Sequence, residues 1–349
     1  MTRRRDPVEQ AADDAEDLQD VATWEPRSRI DHLSCRVYAG IRHGVRTVVV
    51  LTALFVTVAL LAQPAVLVAQ EPAIAVFFAL SIVPALTLAA YIWYADITAR
   101  QPLRLLVATF VLAVLFATFA AVANSVGAAY LQAIPLVGTI LFFYLIVGPV
   151  EEAVKLLAVR VFAYRSDSFR AVIDGAVFGA VAGLGFAAIE NAIYISGYVT
   201  AVAPEAGIYT AATGIATVRA LVGPGHVIYS AIAGFYLGLA RFNPGFGGPL
   251  VVKGLLVAAF VHATYNTTVQ FMPGLIMDVF AVSQGAALVA YVVVYNLAIG
   301  YYLYRKIARY RRTYRKVDAG KTKAAPEPEL TEFDPPERRP ATDGAERSE

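Results

Sequence analysis

Two adjacent glutamates and two histidines lie inside apolar stretches of this sequence, where ionisable side chains are rare. Glu151 and Glu152 follow about a dozen mostly apolar residues, and His226 and His262 lie within two later apolar stretches. Placing a carboxylate near the middle of a bilayer costs roughly 3 kcal/mol or more, so a lipid-facing position would not explain why the pair is present. These four residues are therefore the first candidates for a functional site.

Their residue types support two related kinds of chemistry. Imidazole and carboxylate groups are ligands for a zinc-type ion, and a further carboxylate can act as base on a bound water. Without a metal, a desolvated glutamate can itself activate water while histidine and asparagine stabilise the oxyanion. Both mechanisms would hydrolyse an amide bond within a membrane. The sequence contains neither His-Glu-x-x-His nor Gly-x-Ser-x-Gly, the motifs of soluble-type hydrolases.

The composition indicates a polytopic membrane protein. The 349 residues are 58% hydrophobic and 16% charged, with a mean hydropathy of +0.58, which is too apolar for an ordinary soluble domain. The net charge of +2 gives no reason to expect a nucleic-acid partner. The single cysteine, Cys35, allows no intrachain disulfide and no cysteine-based metal site.

Apolar stretches of spanning length predict an all-α, polytopic helix bundle of about eight transmembrane helices, at ~20 residues per crossing. We place the spans at 47–68, 73–94, 105–126, 136–161, 172–198, 214–240, 254–272 and 282–304. The loops between spans alternate between those that contain Lys or Arg and those that contain none. By the positive-inside rule, this alternation predicts that both termini are cytoplasmic.

The sequence divides into three parts. Residues 1–44 are a polar and mostly disordered cytoplasmic leader. Residues 45–305 form a transmembrane catalytic domain, whose core motifs occupy 135–305. Residues 306–349 form a basic and then disordered cytoplasmic tail. We expect a multi-pass protein of the plasma membrane.

The position of Lys155 distinguishes the two glutamates. Lys155 lies four residues after Glu151 and three after Glu152, so both can reach it on one helix face. One lysine can balance only one carboxylate, which leaves the other free.

Depth in the membrane, estimated at ~1.5 Å per residue, tests which groups can meet. His226 and His262 fall within about 2 Å of their span centres, and the glutamate pair lies about 5 Å to the cytoplasmic side. Glu190 falls about 7–8 Å to the outer side, so it joins them only if its helix tilts or its span is shifted.

Glycine and proline mark the spans that carry the polar residues. Gly223-Pro224-Gly225 directly precedes His226 and predicts a break or kink in that span. Gly175, Gly179 and Gly183 have the spacing that permits close contact between helices.

At these residues the sequence resembles the PrsW family of intramembrane proteases, relatives of the CAAX prenyl endopeptidases and Abi proteins. The resemblance covers about residues 135–305, and its motifs follow the family's order on four successive spans. They are Glu151-Glu152-x-x-Lys155, Phe186-x-x-x-Glu190-Asn191, Arg219 with Gly-Pro-Gly-His226, and His262-x-x-x-Asn266. In the CAAX relatives the second motif ends in His, so Glu190 fits the PrsW branch.

The resemblance implies hydrolysis of peptide bonds in transmembrane or membrane-associated proteins, as in the cleavage of an anti-sigma factor during regulated signalling. It implies that Glu151 is the general base and that Glu152 is held by Lys155, with the reverse order left open. Asn266 would hydrogen-bond the tetrahedral intermediate. Asn191 and Arg219 would support the site, with Arg219 either contacting substrate or pairing with Glu190.

The cofactor is left open between two mechanisms. In the first, one zinc ion is held by His226, His262 and Glu190. In the second, no metal is present, the histidines stabilise the oxyanion, and Glu190 is a second acid. Besides its substrate, we expect the lipid bilayer to be the protein's partner.

Two other functions fit the same residues less closely. A proton- or cation-coupled transporter also uses glutamate and histidine near the membrane midplane, but no internal repeat is visible. A non-catalytic membrane scaffold that binds partners through its tails would keep its function after loss of the glutamates.

Overall fold

The computed structural model describes residues 17, 19, 24–98 and 100–323, with side chains up to residue 317. In this part of the chain the regular structure is helical, and the predicted all-α bundle is confirmed. The α-helices are α1 Arg29–Gln70, α2 Ile74–Tyr94, α3 Leu103–Leu131, α4 Gly138–Phe142, α5 Gly148–Val161, α6 Val172–Ala206, α7 Ile208–Phe242, α8 Gly247–Thr268, α9 Met272–Phe280 and α10 Gln284–Lys323.

Seven helices in the described ranges are long and apolar enough to cross a membrane, one fewer than the sequence predicts. They are α1, α2, α3, α6, α7, α8 with the short turn before it, and α10. The remaining predicted span, 136–161, is divided into α4, a π-helical turn at Phe143–Val147, and α5. The three pieces follow one another directly over 138–161, so this stretch is helical throughout but irregular in its middle.

A proline accounts for the irregular turn. Pro149 has no N–H to donate to the preceding turn, and its ring crowds a carbonyl there. Widening to a π-helical turn accommodates such a defect and changes the direction of the residues that follow. The hydroxyl groups of Tyr144 and Thr264 lie 2.8 Å apart and join the π turn to α8. Glu151, one turn further on, is thereby brought towards α8.

The two long helices α6 and α7 form the centre of the bundle. They are the most enclosed of the spanning helices, whereas α1 and α10 are largely exposed at the periphery. The spaced glycines of α6 let the backbones approach as predicted. A Cβ added at Gly179 would lie 2.2 Å from the carbonyl oxygen of Ser230, and one at Gly183 would lie 2.3 Å from that of His226. Glycine is therefore required where α6 crosses the site-bearing part of α7.

The Gly-Pro-Gly segment does not break α7, which runs through Pro224 as one helix. Proline leaves a carbonyl of the preceding turn without its usual N–H donor. Asn296 of α10 donates a hydrogen bond of 3.0 Å to the carbonyl oxygen of Leu221, in that turn. The carbonyl that loses its donor is that of Ala220, so Asn296 adds a hydrogen bond from a neighbouring helix at the next residue of the same turn.

The N-terminal helix α1 begins inside the segment assigned to the leader. Ser28 caps it by accepting a hydrogen bond of 3.1 Å from the Asp31 backbone N–H, and the Asp31 carboxylate accepts one of 2.7 Å from the Ser28 N–H. This capping box starts a helix that continues without interruption into the first span. The predicted disorder of residues 1–16 and 324–349 lies outside the described residues.

Candidate active site

Five helices bring polar groups together inside the bundle. The glutamate pair and Lys155 come from α5, Glu190 and Asn191 from α6, Arg219 and His226 from α7, and His262 from α8. Asn124 is added from α3. Most of these side chains are buried, and Glu190 has 19% of its side chain exposed. The structure therefore gathers the ionisable residues singled out from the sequence into one network.

Glu152 is fully engaged on both of its oxygens. Lys155 Nζ donates to Oε1 at 2.8 Å, and His262 Nδ1 lies 2.9 Å from the same oxygen. Ser230 donates to Oε2 at 3.1 Å. Since a carboxylate accepts only, Nδ1 of His262 carries the ring proton, and Nε2 is left with a lone pair. Glu152 thus fixes the orientation of His262, and it is the glutamate balanced by Lys155.

Glu151 keeps one oxygen free of hydrogen bonds. Its Oε1 accepts a hydrogen bond of 3.0 Å from Asn124 Nδ2. Its Oε2 is buried and has no hydrogen-bond donor among the described residues, although it lies 3.6 Å from Lys155 Nζ and 3.7 Å from His262 Nε2. The oxygen and the imidazole nitrogen therefore lie close together without a hydrogen bond between them. This is the arrangement that a cation or a water molecule can occupy.

The donor atoms of Glu151, His226 and His262 fit a metal ion. One carboxylate oxygen and one nitrogen from each ring all lie within 4.8 Å of one another. His262 also has the carboxylate on its second nitrogen that metal-binding histidines usually have. The unpartnered Oε2 of Glu151 completes a donor set of the kind that zinc prefers.

Glu190, the carboxylate proposed for that set from the sequence, is held differently. Its Oε2 accepts a hydrogen bond of 2.9 Å from Arg219 and lies 3.1 Å from His226 Nε2. The nearby guanidinium balances its charge, whereas Oε2 of Glu151 has no hydrogen-bond donor among the described residues. Lys155 Nζ lies 3.0 Å from the other ring nitrogen of His226. Because an ammonium group only donates, the ring proton of His226 points at Glu190, which is placed to accept it when Nε2 binds a metal.

Glu190 meets the other site residues, which the depth estimate allowed if its helix tilts or its span is shifted. The sequence places the end of its span at residue 198, whereas α6 continues to Ala206 and is about 52 Å long at ~1.5 Å per residue. The midpoint of the helix therefore falls beside Glu190, level with His226 at the midpoint of α7. The shifted span brings the two side chains into contact.

A chain of hydrogen bonds through Arg219 and Asn191 connects Glu190 to α2. Arg219 Nε donates to Asn191 Oδ1 at 2.8 Å, and its guanidinium lies 4.5 Å above the ring of Tyr194. Asn191 in turn donates to the carbonyl and hydroxyl oxygens of Ser81 on α2, both at 3.1 Å. Of the two roles considered for Arg219, the structure contains the ion pair with Glu190.

A cavity of about 400 Å³ opens onto these groups. Polar side chains on its wall include Asn124, Glu151, Glu190, Arg219, His226, His262 and Asn266. Asn266 is half-buried there, one turn after His262. A second cavity of about 240 Å³ adjoins the first and shares Asn124, Glu151, Glu190 and Tyr194 with it. Glu151 is thus reached from two sides, as a residue acting on an extended peptide would be.

Asn124 is the site residue that the sequence analysis missed. The search along the spans was for ionisable residues, and an amide in the apolar span 105–126 did not stand out. The available signal was a hydrogen-bonding side chain at a membrane-buried position, which needs a partner. Ser230 lies one turn after His226 on α7, and its hydroxyl donates to Glu152.

Comparisons with known proteins identify the family of this chain. Residues 101–298 match the family model described as PrsW family intramembrane metalloprotease. The chain is 28% identical over 193 residues to Protease PrsW of Bacillus subtilis, which covers 53% of this chain and 78% of that protein. It is 28% identical over 124 residues to Protease PrsW of Shouchella clausii, and 31% identical over 126 residues to that of Halalkalibacterium halodurans. Each of the last two matches covers 35% of this chain and 52% of the relative.

The chain thus spans about half the length of these two curated relatives, and no solved structure matches it. The family match itself covers more than half of the 349 residues and contains Asn124, Glu151, Glu190, His226 and His262. The chain therefore belongs to the PrsW family of intramembrane metalloproteases.

Proposed function

We propose that this multi-pass membrane protein is an endopeptidase that hydrolyses peptide bonds of membrane-protein substrates. One observation carries the proposal: Glu151 Oε2, which has no hydrogen-bond partner among the described residues, lies 3.7 Å from His262 Nε2 on the wall of a cavity of about 400 Å³. The family membership and the curated relatives named Protease PrsW support it. No comparison favours the transporter or the scaffold.

In the proposed reaction, Glu151 Oε2 takes a proton from the attacking water, while Asn124 holds the other oxygen of that carboxylate in place. Lys155 and Ser230 keep Glu152 fixed, and Glu152 in turn holds His262 in one orientation. The peptide carbonyl enters the cavity on the side of Asn266, whose amide would donate to the developing oxyanion.

The same residues accommodate a zinc ion, which would be held by Glu151, His226 and His262. When bound, such an ion supplies Lewis-acid activation of water and of the peptide carbonyl. Glu190 would then be the carboxylate in the cavity that is free to accept protons. The proton on His226 Nε2 would be the first of these.

We further propose that the helical stretch 138–161 is an eighth crossing, so that both termini lie in the cytoplasm, and that the protein resides in the plasma membrane. The alternating Lys and Arg content of the loops supports this topology. Cytoplasmic and membrane-embedded segments of signalling proteins, anti-sigma factors among them, are the substrates that this orientation would present to the site.

The test compares the N-termini of membrane proteins in cells that carry wild-type protein, Glu151→Gln or Glu205→Gln. Glu205 is an exposed glutamate at the end of α6, far from the site, and controls for the substitution itself. New N-termini inside or beside transmembrane segments should appear with the wild type and Glu205→Gln and be absent with Glu151→Gln. A reporter built from such a segment is then assayed with purified protein in proteoliposomes. Equal cleavage by wild type, Glu151→Gln and His262→Ala would refute the proposed function.

Metal analysis of the purified protein decides between the two mechanisms. About one zinc per chain, with cleavage lost on chelation and restored by zinc, supports the metal site. Cleavage that proceeds at full rate in metal-free protein supports Glu151 acting alone.

A further inference from the structure

A second large cavity lies away from the active site, between α7 and α10. Its volume is about 650 Å³, against about 400 Å³ for the active-site cavity, and no described residue lines both. Four of its lining residues are cations from one stretch of α10: Arg305, Lys306, Arg309 and Arg312. Arg305, Arg309 and Arg312 follow one another at four and three residues, and Lys306 lies three residues before Arg309, which places the four along one side of the helix. We call this feature the basic cavity.

The positive charge of the basic cavity is not neutralised. Among the residues that the structure describes, no carboxylate lies within ion-pair distance of any of the four cations. Lys306 is instead surrounded by aromatic rings, with Nζ 4.7 Å from the ring centre of Tyr236, 5.0 Å from Tyr302 and 5.5 Å from Phe235. These rings hold the ammonium in place without supplying a net negative charge. Four clustered cations with no counter-ion favour the entry of an anion.

The position of the cavity indicates which anion. α10 is apolar up to Tyr304 and basic from Arg305 onward, so the cavity lies where a membrane helix leaves the hydrocarbon core. Phe235 and Leu239 of α7 give it an apolar wall on one side. A ligand with a phosphate group and an adjoining apolar chain matches both walls. The positive-inside rule explains why basic residues lie at this end of the helix, but it does not explain a cavity around them.

We propose that the basic cavity binds the headgroup phosphate of an anionic phospholipid, with its acyl chains against Phe235 and Leu239. Arg305, Lys306 and Arg309 contact the phosphate, and the rings around Lys306 set its position. The site would hold a lipid next to α7, the helix that carries His226, and it does not depend on the proteolytic function.

Lipid binding to the full-length protein in detergent is measured by native mass spectrometry, with phosphatidylglycerol and phosphatidylcholine of matched acyl chains. The double variant Lys306→Gln/Arg309→Gln removes two cations from the cavity. Arg315→Gln/Lys316→Gln removes two from the same helix outside it and is the matched control. Each cation near an anionic headgroup is worth about fivefold in affinity, so the cavity variant should bind phosphatidylglycerol about 30-fold more weakly than wild type. Wild type and control should both prefer phosphatidylglycerol to phosphatidylcholine.

Two results would overturn the proposal. Equal losses in the cavity and control variants would mean that the helix attracts lipid only through its overall charge. Displacement of phosphatidylglycerol by millimolar inorganic phosphate would identify a soluble phosphate compound as the ligand. If the double variant does not fold, as judged by thermal unfolding, Lys306→Gln and Lys316→Gln are compared instead. The expected difference is then about fivefold, and its absence counts against the site.

Discussion

Replacing Gly183 of α6 by alanine should displace His226 and slow peptide hydrolysis far more than it destabilises the protein. A Cβ at this position would lie 2.3 Å from the His226 carbonyl oxygen and 2.7 Å from its carbonyl carbon. Both atoms are backbone, so neither can rotate away. Ordinary contact begins at about 3.4 Å, and α7 must therefore move by about 1 Å at His226, a residue of the candidate site.

Two effects on stability oppose each other. Overpacking a tight interior contact costs typically ~1–3 kcal/mol, whereas glycine to alanine in a helix gains up to ~1 kcal/mol. The net loss should be about 1–2 kcal/mol, seen as a drop of a few degrees in the melting temperature. A displacement of 1 Å in a catalytic geometry can lower a rate by about 100-fold, and this is the expected loss of reporter cleavage in proteoliposomes.

Two other glycines of α6 provide controls. A Cβ at Gly197 meets nothing within 4 Å, so Gly197→Ala should keep the wild-type rate and melting temperature or raise the latter slightly. A Cβ at Gly175 would lie 2.1 Å from the Gly234 carbonyl oxygen, two turns further from the site. Gly175→Ala should destabilise the protein as Gly183→Ala does but reduce the rate less. Wild-type cleavage by Gly183→Ala would show that this close contact does not position His226.

Three further substitutions test the polar network. Glu151→Gln keeps the shape of the side chain and should lower the cleavage rate by about 10²–10⁴-fold. Its melting temperature should match that of the wild type, and an unfolded variant would contradict this prediction. Lys155→Met leaves Glu152 buried without its cation and should cost about 3–5 kcal/mol in chemical unfolding, part of which Lys155→Met/Glu152→Gln should recover. Asn124→Ala removes the donor to Glu151 and should reduce cleavage by at least about 10-fold. Thr87→Ala, an exposed residue of α2 bonded within its own helix, should have no effect, and equal rates for the two variants would remove Asn124 from the site.

The helices that cross the membrane were predictable because a bilayer imposes a minimum length and excludes charge. α2, for example, occupies 74–94 against a predicted 73–94. The stretch 136–161 was predicted as one regular span, and hydropathy has no means of detecting that Pro149 widens its middle into a π turn. α6 continues past the predicted end at residue 198 to Ala206, and it ends at Gly207, whose φ of +82° lies outside the helical range.

The residues of the candidate site were predictable by type, and their individual roles stay predictions. A glutamate or histidine in an apolar span has a high free-energy cost, so it is easily identified in the sequence. The uncharged amide of Asn124 costs less and is not identified in this way. Spacing also indicated that Lys155 balances one glutamate, but not which one. Both glutamates are within reach of Lys155 along the helix, and the choice of Glu152 follows from Ser230 and His262, which lie on other helices.

By itself, the sequence determined that this is a multi-span helical protein and which few polar residues are buried in its bundle, because the energetic cost of a charge in lipid acts on each segment separately. The tertiary structure decided how those residues pair: Glu152 is bound on both oxygens, Glu151 has one oxygen free, and Glu190 is joined to His226 and Arg219. These pairings depend on the tilt, length and close approach of separate helices. Such quantities arise from packing between segments, which no single segment encodes.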